Sequence, residues 1–130
     1  MYNEDIELAK KARLNSYSPY SNYSTGAVLR TKSGKLYTGC NVENHGLQSI
    51  CAERTAFVKA ISEGEKDFEC ITVVGGPHSE EPTEVCLPCG YCRQFMSEFV
   101  DKEFKVRVVD KYSNVTEYTL DDLLPHKFDF

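Results

Sequence analysis

Apolar and polar positions change period several times along the chain, and each change marks an element. From Asn3 to Ser16, Ile6, Leu8, Ala9 and Ala12 recur among charges, acids early and bases late. This predicts an amphipathic helix aligned with its macrodipole. The run Tyr17-Ser18-Pro19-Tyr20-Ser21-Asn22-Tyr23 breaks the pattern with polar and aromatic residues around a proline, and reads as an ordered loop. Gly26 to Arg30 and Lys35 to Val42 are short strand-like runs, and Lys32-Ser33-Gly34 between them predicts an antiparallel hairpin.

Helical spacing returns from about Ile50 to Glu63, where Ala52, Ala56 and Ala60 share one side, Ser49 offers a cap and Gly64 a stop. Cys70-Ile71-Thr72-Val73-Val74 is a largely apolar run and reads as a fully buried strand followed by a loop at Gly75-Gly76-Pro77. After an acidic loop from Ser79 to Glu84, Pro88 opens a helix reaching about Val100, and Val106 to Asp110 follows as a strand. That β-α-β unit favours parallel pairing. Val115 to Leu120 adds an edge strand, and a short helix follows at Asp121.

The order is α-β-β-α-β-α-β-β-α, with no repeat and no linker, and 130 residues suffice for one core. A single domain over 1–130 is expected. Hydrophobic residues at 41% and charged residues at 27% match ordinary globular usage, so no disordered tail is predicted. The formal charge of −5 argues against nucleic acid as a partner and for a small substrate. Met1 to Lys10 lacks a signal-like apolar run, and no apolar stretch is long enough to span a bilayer. A soluble cytoplasmic protein is the expectation, and in a reducing compartment closely spaced cysteines point to metal before disulfides.

Six cysteines are present: Cys40, Cys51, Cys70, Cys86, Cys89 and Cys92. Cys89 and Cys92, three residues apart at a helix start, place two thiolates on one face. Cys51 opens another predicted helix, where N-terminal amides favour thiolate over thiol. Two helix starts can thus converge on one zinc ion, three protein ligands leaving its fourth position open as in catalytic sites. Glu53, two residues after Cys51, is placed to move protons beside that position. Arg54 and Arg93 are candidates to donate hydrogen bonds to the sulfurs and offset their charge. Cys40 and Cys70 read as core thiols, and His45, His78 and His126 as surface residues.

Cys51-Ala52-Glu53 followed by Pro88-Cys89-Gly90-Tyr91-Cys92 resembles the zinc deaminase signature. Ser18-Pro19-Tyr20-Ser21, Gly39-Cys40-Asn41-Val42-Glu43-Asn44, Arg54-Thr55-Ala56, Cys92-Arg93-Gln94 and Leu123-Leu124-Pro125 extend the resemblance, in order, to the small homotetrameric cytidine deaminases. The resemblance implies a three-layer α/β/α fold with a mixed five-stranded sheet, a Zn2+ cofactor and hydrolytic deamination of cytidine and deoxycytidine in pyrimidine salvage. Glu53 would protonate N3 of cytosine and relay a proton to the departing amine. Asn41 and Glu43 would bind the ribose hydroxyls, Ala52 would line the substrate site, and Tyr23 would flank the pyrimidine where the family usually has Phe. Phe128 matches an aromatic that the family inserts into a neighbouring subunit's site.

Two features depart from that pattern. The segment from Asn41 to Cys51 is one residue shorter than usual and lacks an aromatic often found there, and Cys86 adds a fourth nearby thiol. Three rival readings follow: a blasticidin-type aminonucleoside deaminase, a nucleic-acid editing deaminase, and a closed four-cysteine zinc module with Cys86 as the fourth ligand.

Overall fold

Alternation along one central strand explains both layers around the sheet. In the computed structural model, which describes residues 2–82 and 85–129, β1 (Tyr23–Thr31) points Ala27 and Leu29 to one face and Val28 to the other. It lies between β2 (Leu36–Cys40) and β3 (Phe68–Pro77), antiparallel to both; β4 (Lys105–Val109) and β5 (Val115–Thr119) complete the order β2-β1-β3-β4-β5. β3 and β4 are parallel, as the predicted crossover requires, and β5 returns antiparallel. The mixed five-stranded α/β sheet is as expected from the resemblance.

The Ala27 face carries the larger core. There α2 (Ala52–Ser62) buries Ala52, Ala56, Phe57 and Ala60, and α3 (Gly90–Met96) buries Cys92 and Met96 against Leu29, Ile71, Val73, Val106 and Val108. On the opposite face α1 (Asn3–Arg13) packs Ile6 and Ala9 against Val28, Val74 and Val109. α4 (Leu120–Leu123) ends the chain's regular structure, with a reciprocal capping box between Thr119 and Asp122.

Two of the helices, α1 and α2, each seat on a glycine. A Cβ on Gly26 would lie 2.0 Å from Ala9 O, and one on Gly39 would lie 2.4 Å from Ala52 O and 2.6 Å from Ala56 N. The missing side chains let the helix backbones press directly onto β1 and β2. Asp5, fully buried on α1, ties the same layer together by accepting from Arg30 Nη2 and Nε at 2.5 and 3.0 Å.

Several boundaries move from their predicted places. α1 stops at Arg13 rather than Ser16 because its end tightens: Leu14, Asn15 and Ser16 donate three residues back. β3 continues through Gly75-Gly76 to Pro77, paired throughout with Thr25, Ser24 and Tyr23 of β1, and a Cβ on Gly75 would meet Cys86 Cβ at 2.8 Å and Tyr23 at 3.3 Å. The glycine there makes room for neighbours within the strand rather than ending it. α2 begins at Ala52 with Cys51 as its extended N-cap, while Ser49 accepts from Asn44 N at 3.0 Å instead of capping. α3 is shorter than predicted, Gly90–Met96, with Cys89 as its N-cap. Thr83 and Glu84 of the acidic loop lie outside the described residues.

Candidate active site

Two helix N-termini meet at the end of the sheet where β1 begins, and each presents a cysteine. Cys51 caps α2 and Cys89 caps α3, with Cys92 buried in the first turn of α3. Their sulfurs lie within 4.8 Å of one another, Cys89 Sγ being 3.6 Å from each of the others. Sulfurs bound at about 2.3 Å to a tetrahedral zinc stand about 3.8 Å apart, so this donor set fits the ion. Among the described residues no other group of metal-binding side chains converges in this way. Cys86 is not part of the cluster: its Sγ lies 3.7 Å from Thr25 Oγ1 and burial raises its pKa. That geometry disfavours the closed four-cysteine module.

The thiols share their protons unequally. Hydrogen bonding from Cys92, then from Arg54 and Cys89, holds Cys51 down at about 5 against the opposing effect of burial. Cys92 is pushed up, first by that same bond and then by burial. Glu53, one residue inside α2, is buried, and desolvation raises its carboxyl to about 7, with the Cys51 charge adding in the same direction. By contrast, Cys70 is pushed up to about 12 by burial within the sheet, as suits a core thiol.

These residues open on a cleft of about 310 Å³ whose walls include Tyr23, Asn41, Glu43, Ala52, Glu53 and Cys86. A larger cleft of about 530 Å³ between α1 and residues 79–82 lacks any such constellation. Asn41 and Glu43 follow the end of β2, Asn41 tied to the start of β1 and Glu43 to the loop before it. Asn41 Oδ1 accepts from Thr25 N and Nδ2 donates to Tyr23 O, each at 2.9 Å. Glu43 accepts from Tyr20 N at 3.0 Å, from Ser21 N at 3.1 Å and from the Ser21 hydroxyl. Burial opposes the charge on Glu43, but the bonds from Ser21 and Tyr20 together lower its pKa. Ser21 and Thr25 are thus site residues that the sequence alone did not single out, although Ser21 belongs to a motif that it did.

The shortened segment after Asn41 is closed by a two-bond bridge between Val42 and Ile50, each bond 2.9 Å, with Asn44 Oδ1 accepting from Gly46 N and Gln48 N inside it. Leu47 stands fully exposed at its tip.

The arginines part company. Arg54 Nη2 donates to Cys51 Sγ at 3.7 Å and to Ser49 O at 3.2 Å. Arg93, expected at a sulfur, donates instead to Pro88 O at 2.7 Å and to Leu123 O at 2.9 Å. Its position one residue beyond Cys92 points the guanidinium toward the C-terminal segment rather than into the cluster. Gln94 continues that anchorage, donating to Phe128 O and accepting from Phe128 N at 3.0 and 3.1 Å, while the Phe128 residue is two-thirds exposed. The structure therefore brings Cys51, Cys89, Glu53, Ala52, Asn41, Glu43 and Tyr23 to one cleft, with the buried Cys92 joining the two cysteines, Arg54 behind them and Arg93 outside.

Comparison with known proteins agrees with this geometry. Residues 2–108 match the family model described as the cytidine and deoxycytidylate deaminase zinc-binding region. A cytidine deaminase from Sporosarcina psychrophila is 40% identical over 95% of this chain and 88% of its own length. A blasticidin-S deaminase from Bacillus cereus is 30% identical over 96% of this chain and 92% of its own. The crystal structure of cytidine deaminase from Burkholderia pseudomallei superimposes with a TM-score of 0.88 at 40% identity, covering 98% of this chain and 99% of that one. With three converging cysteines and a buried glutamate set on matching elements over nearly the whole length, this chain belongs to the cytidine and deoxycytidylate deaminase family.

Proposed function

We propose that this chain hydrolyses the C4 amino group of cytidine, and of deoxycytidine, to give the uracil nucleoside and ammonia. The observation that carries the reading is the convergence of Cys51, Cys89 and Cys92 beside the buried Glu53 at the floor of one cleft. The three cysteines would hold zinc, which when bound supplies the Lewis acid that makes water a nucleophile at neutral pH. Glu53 takes one proton from the attacking water and delivers it to N3 of cytosine, then takes the second from the new C4 hydroxyl and passes it to the amine, so that the C4 carbonyl forms as ammonia leaves. Arg54 offsets the charge of the thiolates from behind Cys51.

Substrate choice follows from the cleft's outer half. Tyr23 offers an aromatic face to the pyrimidine, Ala52 lines the floor, and Asn41 and Glu43 present an amide and a carboxylate to the ribose hydroxyls. Asn41 is already fixed by the start of β1 and Glu43 by the loop before it, so the sugar meets a preorganised edge. We place the enzyme in pyrimidine salvage in the cytoplasm, as one domain that assembles into a homotetramer. Phe128, exposed and backbone-anchored by Gln94, would then complete a neighbouring subunit's cleft. Among the described residues no helix is long and apolar enough to cross a membrane.

The test is a spectrophotometric screen of zinc-loaded protein against cytidine, deoxycytidine, blasticidin S and a cytosine-containing oligonucleotide. Turnover of the two nucleosides is expected, and Glu53→Gln should slow it by about 10²- to 10⁴-fold. No turnover of any substrate would sink the enzymatic reading, and full activity in Glu53→Gln would remove Glu53 from its role.

A further inference from the structure

Tyr91 stands between two of the three cysteines, yet its side chain is 78% exposed and takes no part in the core. Its placement is explained by Arg54. The guanidinium carbon of Arg54 sits 5.2 Å from the Tyr91 ring centroid, while Nη2 reaches Cys51 Sγ and Ser49 O. Arg54 Nε is buried and has no hydrogen-bond partner. A cation with a donor left unmatched is favoured by the electron-rich face of an aromatic ring, which asks for no directed acceptor. The contact also crosses the gap between the two helix starts: Arg54 belongs to α2, capped by Cys51, and Tyr91 to α3, capped by Cys89.

We propose that Tyr91 is a positioning residue of the metal site, its ring capping Arg54 and keeping that guanidinium on the Cys51 sulfur. The proposal rests on the zinc reading above and adds a residue that the signature Pro-Cys-x-x-Cys leaves open. Three thiolates on a dication carry one net negative charge, and a guanidinium held against one sulfur offsets it only while it stays there. Without the ring, the long Arg54 side chain gains rotamer freedom and turns to water. The sulfur it leaves is then less well neutralised, and the ion is held less firmly. Tyr91 acts on the metal through Arg54 and touches neither the ion nor the substrate.

The experiment is zinc release from the loaded full-length protein into excess chromogenic chelator, followed by absorbance, with circular dichroism to confirm folding. Tyr91→Ala should release zinc about two- to five-fold faster than wild type, the range expected for one exposed cation–π contact. Tyr91→Phe, which keeps the ring, should match wild type. In an Arg54→Gln background, Tyr91→Ala should add nothing. Equal acceleration in that background would overturn the proposal, as would Tyr91→Phe behaving like Tyr91→Ala, or folded Tyr91→Ala releasing zinc at the wild-type rate. Wild-type protein that takes up no zinc would instead overturn the metal reading itself.

Discussion

Adding one methyl group at Gly39 tests how closely the chemistry depends on the seat of α2. The new Cβ would lie 2.4 Å from Ala52 O, 2.6 Å from Ala56 N and 3.1 Å from Thr55 Cβ, where ordinary contacts begin at 3.4 Å. Two of these atoms are helix backbone, so no side chain can swing aside. Restoring normal contact moves the start of α2 by about 1 Å, the difference between 3.4 and 2.4 Å. That end of the helix carries Cys51 and Glu53, while Cys89 and Cys92 stay with α3. Overpacking of this kind costs about 1–3 kcal/mol of stability. Displacing a proton carrier by an ångström costs on the order of 100-fold in rate. Gly39→Ala should therefore remain folded but lose about two orders of magnitude in kcat, read from cytidine turnover beside urea unfolding. A variant with wild-type stability and wild-type kcat would refute the reasoning, since the strand and helix would then not be in the contact described.

Asp5→Ala should destabilise the fold by about 2–3 kcal/mol and lower Tm by roughly 8–12 °C, measured by calorimetry, because it leaves the largely buried Arg30 without its main acceptor. Cys86→Ser should keep stoichiometric zinc by elemental analysis, as the Cys86 sulfur stands apart from the cluster; zinc loss on this substitution would restore the four-cysteine reading. Glu43 has a lowered pKa, so its contribution to holding residues 20–23 is present above the usual carboxylate range and is lost as pH falls through its folded value. Amide exchange at Tyr20 and Ser21, corrected for intrinsic rates, should accelerate on acidification, and in Glu43→Gln it should already be faster at neutral pH. A Glu43→Gln profile identical to wild type would remove the carboxylate from that role.

What the sequence made legible, and what it did not, divides along a physical line. The sheet could be read because strands buried on both faces are apolar at most positions, as Ile71, Val73 and Val74 are, and because a parallel pair needs a crossover such as α3. The metal cluster could be read because the ion demands particular side chains, and two of them lie a few residues apart at one helix start. Boundaries were less legible where a distant atom decides them. β3 runs past Gly75 because its backbone stays paired with Thr25, Ser24 and Tyr23 of β1, a fact present in neither local pattern nor turn propensity. The supporting residues were least legible of all. Arg54 follows Glu53 and Arg93 follows Cys92, and both were candidates for the sulfurs, yet one meets a sulfur and the other meets the carbonyls of Pro88 and Leu123. Carbonyl acceptors are offered by every residue in the chain, so a guanidinium that binds them leaves no mark at the other end of the bond. The same holds for Asn41, whose amide was expected at the ribose and is first held by the backbone of Tyr23 and Thr25. A substitution at Asn41 would therefore disturb the start of β1 together with the cleft it borders.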